Sequence, residues 1–93
     1  AMRLDKFLKL ARLVKRRTVA QEMIEVGAVR INGRQCKPSA EVRVGDSVEI
    51  AYPSRFLSLE VLCADEAALK RMPPEEAWSL REERRVDPSE RPW

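Results

Sequence analysis

Apolar residues recur along the first part of the chain at the spacing of a helix. Leu4, Phe7, Leu8 and Ala11 fall at i, i+3, i+4 and i+7, one stripe of an amphipathic helix. Lys6 and Lys9 project roughly opposite that stripe, and Asp5 and Arg12 lie together at its border. Asp5 also falls in the first turn, where the helix dipole favours a carboxylate; pairing with Lys9 or Arg12 is the first expectation for it. After the basic linker VKRR, a second helix is predicted from about Thr18 to Val26, with Ala20, Met23 and Ile24 repeating the apolar spacing. Thr18 and Gln21 have capping-box spacing, and a cap nearer Arg16 serves equally well. Gly27 stands where a left-handed residue ends a helix at least cost. Both helices are too short to hold alone, so each must bury its stripe elsewhere.

The period then changes to two. AVRINGRQCK alternates around Asn32-Gly33, a pair suited to a two-residue hairpin turn because both positions need positive φ. That turn puts Val29, Ile31 and Cys36 on one face. EVRVGDSVEI repeats the logic, with Val42 and Val44, a Gly45-Asp46 turn, then Val48 and Ile50. In FLSLEVL, Leu57, Leu59 and Val61 point one way and Ser58 and Glu60 the other. The order predicts an α+β fold: two or three short N-terminal helices packed on one side of a small, mainly antiparallel sheet of four to five strands. A domain over residues 2–63 is followed by a charged extension, 64–93. Within it, Pro74 at a first helical position, with acidic residues early and basic ones late, predicts a helix over about 74–85 with Trp78 as its one large anchor. VDPSERPW is expected to be disordered unless a partner holds it.

Charge sharpens the picture. The 93 residues carry a net charge of +3, unevenly spread. Residues 1–26 hold seven Lys/Arg against three Asp/Glu, whereas 63–93 hold six against eight. A basic start on an otherwise balanced chain points to a polyanionic partner; a solvated charged face is the plainer reading. There is no histidine, which removes His-based triads, the usual metal sites and the commonest general base. The three glycines are scattered and build no phosphate loop, and the paired glutamates fall in the charged extension. The chain is therefore not expected to be an enzyme, nor to need a cofactor or metal. Cys36 and Cys63 stand in no paired motif and read as reduced thiols of a cytoplasmic protein. No apolar run is long enough to span a membrane. Ala1, ahead of Met2, reads as a cloning remnant.

The ordered set RLDKFL, the Arg17-Thr18 helix start, Gly27 before the first strand, ING, KPS and VGD resembles the S4 RNA-binding domain, over roughly residues 3–52. The opening MRLDKFLKLARLVKRRT is similar to the small stand-alone members of that family, the RqcP-like and Hsp15-like groups. The resemblance implies a factor of ribosome-associated quality control that acts on large ribosomal subunits still carrying peptidyl-tRNA. Its partners would be 23S rRNA, the P-site peptidyl-tRNA and an RqcH-type protein that adds alanine without a template. An Hsp15-like recycling factor for obstructed subunits is the alternative. Arg3 and Arg17 match the family's recurrent arginines and rank first as RNA contacts; Lys6, Lys9, Arg12, Lys15 and Arg16 rank second. Asp5 would then orient Arg3 or another RNA-contacting arginine. Arg30, Arg34 and Lys37 extend the surface or form an ordinary solvated strand face. Phe7 is assigned to the core, leaving only Tyr52 and Phe56 near the surface, so no stacking platform exists and structured RNA is the expected ligand. Two other classes stay open: a protein-interaction module docking through Trp78, and a fragment of an RNA-modifying enzyme. No oligomer seam is evident, which predicts a monomer.

Overall fold

The computed structural model describes residues 1–87 and Ser89. A two-residue strand, β1 (Met2–Arg3), leads into helix α1 (Leu4–Leu10), and α2 spans Arg17–Glu25. Strands β2 (Val29–Ile31), β3 (Arg34–Gln35), β4 (Glu41–Val42), β5 (Ser47–Ala51) and β6 (Arg55–Val61) follow. The single turns α3 (Glu66–Leu69) and α4 (Pro74–Ala77) precede a last strand, β7 (Trp78–Arg85). Five strands form an antiparallel sheet in the order β3-β2-β5-β6-β7, while β1 and β4 pair separately.

Register explains the core. Val29 lies opposite Ile50, Ile31 opposite Val48, and these in turn opposite Leu57 and Leu59. The two-residue period therefore gathers one apolar face. Leu4, Phe7 and Leu8 of α1 and Ala20 and Ile24 of α2 bury with that face in one cluster. Asn32 and Gly33 both take positive φ, 51° and 78°, as the hairpin reading requires.

Both helices end in the same way. At the end of α2, Gly27 takes a φ of 81° while Ala28 N–H bonds to the Met23 carbonyl and Gly27 N–H to that of Ile24. At the end of α1, Leu13 N–H bonds to the Leu8 carbonyl and Arg12 N–H to that of Lys9. This is a Schellman motif, yet its left-handed position, φ 59°, is filled by Arg12. A side chain there costs about 1–2 kcal/mol that glycine avoids.

Four expectations are corrected. The 42–50 segment is not a second hairpin: Val42 pairs with Met2, and Val44 is 65% exposed. Both edges of β5 are already taken by β2 and β6, and the Asp46 carboxylate accepts the Arg43 N–H to fold residues 43–46 into a turn. The predicted helix over 74–85 stops after one turn, and Trp78–Arg85 is a strand along β6. Glu and Arg favour a helix locally, but the backbone donors and acceptors along β6 need a partner, and tertiary context overrides propensity. Trp78 is half-buried, its indole N–H donating to the Ala11 carbonyl at 3.3 Å, so it anchors the strand internally rather than presenting itself to a partner. Phe56 is buried at 4% exposure beneath the Arg84 guanidinium, not near the surface. Of VDPSERPW, residues 88 and 90–93 lie outside the described residues.

Trp78→Ala removes both the packing and the hydrogen bond that dock β7. It is expected to lower stability by about 2 kcal/mol in urea unfolding followed by circular dichroism. An unchanged midpoint would mean that this strand does not contribute to the fold.

Candidate nucleic-acid interface

The site begins with one acidic side chain. Asp5 is 0% exposed and the sole buried charged residue among those described. Arg3 is the N-cap of α1, so Asp5 falls in the first turn, where its Oδ1 accepts the Lys6 N–H at 2.8 Å. Arg3 reaches over it as a fork, with Nε 3.2 Å from Oδ1 and Nη2 3.1 Å from Oδ2. From α2, Arg17 and Gln21 stand four residues apart on one face. Arg17 Nε donates to Oδ2 at 3.2 Å and Gln21 Nε2 to the same oxygen at 2.9 Å. Burial pushes the Asp5 carboxyl up, but the donors from Gln21, Arg17, Lys6 and Arg3 together outweigh it and hold the group below its ordinary value.

Asp5 thus pairs neither with Lys9 nor with Arg12. Arg12 is turned out of the helix by its left-handed backbone, and the ion-pair partners of Asp5 are Arg3 and Arg17. Gln21 is not a capping-box residue either: Arg16 is the N-cap of α2, no side-chain cap bond forms, and the Gln21 amide serves Asp5. The four-residue spacing of Arg17 and Gln21 carried that signal, masked by the Thr18–Gln21 alternative.

The other candidate cations separate into groups. Lys15 and Arg16 are exposed immediately before Arg17 and extend the same corner. Lys37 is exposed at the start of the turn whose Ala40 carbonyl receives the Leu4 N–H, beside the start of α1. Lys6 instead reaches α3, its Nζ 3.3 Å from Glu66 Oε1. Hydrogen bonding and charge from Lys6, then Lys70, hold the Glu66 carboxyl below its usual range. Lys9 and Arg12 lie at the far end of α1, beside Leu69, Lys70 and Met72. Arg30 sits across from Gln35 and Glu49, alternating with the core-facing Val29 and Ile31, so it points away from the helices. Arg34 is exposed just after the hairpin turn. The structure therefore brings Arg3 and Arg17 together on Asp5, with Lys15 and Arg16 next to Arg17 in the chain, and leaves Arg30 on the other face of the sheet.

Asp5 leaves the guanidiniums of Arg3 and Arg17 partly in water, with side chains 44% and 40% exposed. Each presents donors that Asp5 does not use, in a fixed fork suited to phosphate oxygens or a base edge. No group of three or more metal-ligating side chains occurs among the described residues. No helix there is long and apolar enough to cross a membrane.

Paired short helices with arginines at their starts, set on a small antiparallel sheet, define a class of nucleic-acid-binding module. The S4 domain matches residues 2–48, and the chain belongs to that family. Over 83 residues it is 41% identical to the RQC P-site tRNA stabilizing factor of Listeria innocua, covering 89% of this chain and 90% of that one. It is 38% identical over 82 residues to Heat shock protein 15 of Escherichia coli, covering 88% of this chain and 59% of that one. The trimeric structure of Vibrio cholerae Heat Shock Protein 15 matches with a TM-score of 0.76 at 29% identity, covering 86% of this chain and 81% of that one.

Asp5→Asn keeps the shape and removes the charge, and is expected to cost about 2 kcal/mol at neutral pH. Because the folded carboxyl titrates below its ordinary 3.8, its contribution is full above that value and is lost as pH falls through the lower, folded value. Urea unfolding of both proteins from pH 7 to pH 2 should show the gap close only on the acid side. A constant gap would mean that the Asp5 charge is not what holds the two helices.

Proposed function

We propose that the chain is an RNA-binding factor of ribosome-associated quality control that docks on large subunits carrying stalled peptidyl-tRNA. Its helical corner meets 23S rRNA, and the bound factor stabilises the P-site tRNA while an RqcH-type partner adds alanine to the nascent chain. The observation that carries this reading is the Asp5 hub. It fixes Arg3 and Arg17 side by side, half exposed, at the start of both helices. Pre-oriented forks serve shape-specific recognition of structured RNA better than mobile charges do. Lys15, Arg16 and Lys37 around them supply affinity without sequence information. With one phosphate neutralised by each of these five cations, log K would fall with log salt at a slope of about 3.5 to 4.5. Among the described residues no aromatic platform stands at this corner, since Tyr52 donates its hydroxyl to the Leu13 carbonyl and Phe56 is buried, which supports structured over single-stranded RNA.

The likeness to the Listeria factor, over nearly the full length of both chains, supports the tRNA-stabilising role. A recycling role on obstructed subunits is the second reading, supported by the 38% identity to Heat shock protein 15.

Tagged full-length protein should sediment through sucrose gradients with large subunits bearing peptidyl-tRNA, in preference to empty subunits. Arg3→Gln/Arg17→Gln, shown folded by circular dichroism, should remain at the top. Wild-type protein that stays at the top under gentle salt, or a double variant that travels normally, contradicts the proposal. Loss of alanine tails in cells lacking the protein separates the first role from recycling.

A further inference from the structure

The cations at the far end of α1 belong to a different surface from the Asp5 corner. Lys9 and Arg12 meet Lys70 around a shallow hollow of about 240 Å³, floored by Leu10, Leu69 and Met72. Arg71 follows Lys70 and is exposed. Among the described residues, Lys9, Arg12 and Arg71 form no ion pair, and the one carboxylate beside this group, Glu66, is shared between Lys6 and Lys70. Charge of one sign is therefore concentrated here, whereas the β6–β7 part of the sheet neutralises itself through Arg55–Glu83, Arg81–Glu60 and Arg84–Glu82.

Arg12 supplies an independent observation. The same helix-ending motif is filled by glycine at the end of α2, but here a bulky cation is held in the strained conformation. A cation standing where glycine would cost least motivates a functional reading of Arg12.

We propose that Lys9, Arg12, Lys70 and Arg71 form a second RNA-backbone site, built jointly by α1 and the segment beyond the S4 match, which ends at residue 48. It deepens the ribosomal RNA reading and rests on it. Nine residues separate Arg3 from Arg12, on the order of 13 Å along a helix axis, so one phosphate cannot satisfy both ends. An extended polyanion can. A backbone that carries one phosphate per nucleotide supplies charges along this span, continuous with RNA held at the Asp5 corner.

The test uses full-length protein and purified large subunits carrying peptidyl-tRNA, with affinity measured across a salt series. Lys70→Gln/Arg71→Gln should bind at least five-fold more weakly, and its slope of log K against log salt should shrink by about 1.5, as expected for two lost phosphate contacts. Arg12→Gly should melt no lower than wild type, since glycine relieves the backbone, and yet bind more weakly with a slope smaller by about 0.8. Wild-type binding with unchanged affinity and slope in both variants overturns the second site and leaves the Asp5 corner standing. If wild type does not bind at all, the RNA reading and this proposal fall together. If poly-glutamate binding is lost in the variants while subunit binding is not, the surface receives a protein and the RNA assignment is overturned.

Discussion

A buried carboxylate that accepts five hydrogen bonds ties the start of α1 to the start of α2, and the exposed chemistry of this corner depends on it. Removing Asp5 from water is costly in itself, and an ion pair of this kind is not a reliable source of stability. Three features make it tolerable here. Both oxygens are fully engaged, by Lys6 N–H and Arg3 on one and by Arg3, Arg17 and Gln21 on the other. Both guanidiniums keep contact with water. The surrounding helix faces, through Leu4, Phe7, Ala20 and Ile24, bury in the same core that closes over the carboxylate. What the arrangement yields is orientation: two flexible side chains are held as a pair of forks, with less entropy to lose in a complex that uses them.

Charge is segregated to match. The sheet's β6–β7 half pairs its own arginines and glutamates, and Arg30 faces Glu49 across strands. Around α1 and the linker the cations outnumber their carboxylates. Unbalanced positive charge is thus gathered around α1 and the linker, and the helices that carry it are held by the sheet behind them.

The sequence was most legible where one local rule governed. The stripe from Leu4 to Ala11, the Asn32-Gly33 turn and the alternation from Leu57 to Val61 all place residues as their periods predict. Arg3 and Arg17 were singled out through family resemblance, and the structure sets both against Asp5. The failures share a cause: long-range competition for partners. Val42 obeys a strand pattern but finds Met2 instead of its neighbour in sequence. Residues 78–85 have helix-forming composition but answer the unpaired edge of β6. Gln21 fits a local cap, yet its amide is captured by Asp5 across the helix pair. No local pattern reports such captures, because the partner is set only once the helices pack.

The claim that Asp5 acts through the arginines is tested most directly by a double-mutant cycle on large-subunit affinity, with Asp5→Asn, Arg3→Gln/Arg17→Gln and the triple variant measured at one salt concentration. If the carboxylate serves to orient the two forks, its removal weakens binding in the wild-type background and has almost no further effect once the arginines are gone. Equal losses in both backgrounds would show that Asp5 and the arginines contribute independently, and would contradict the account.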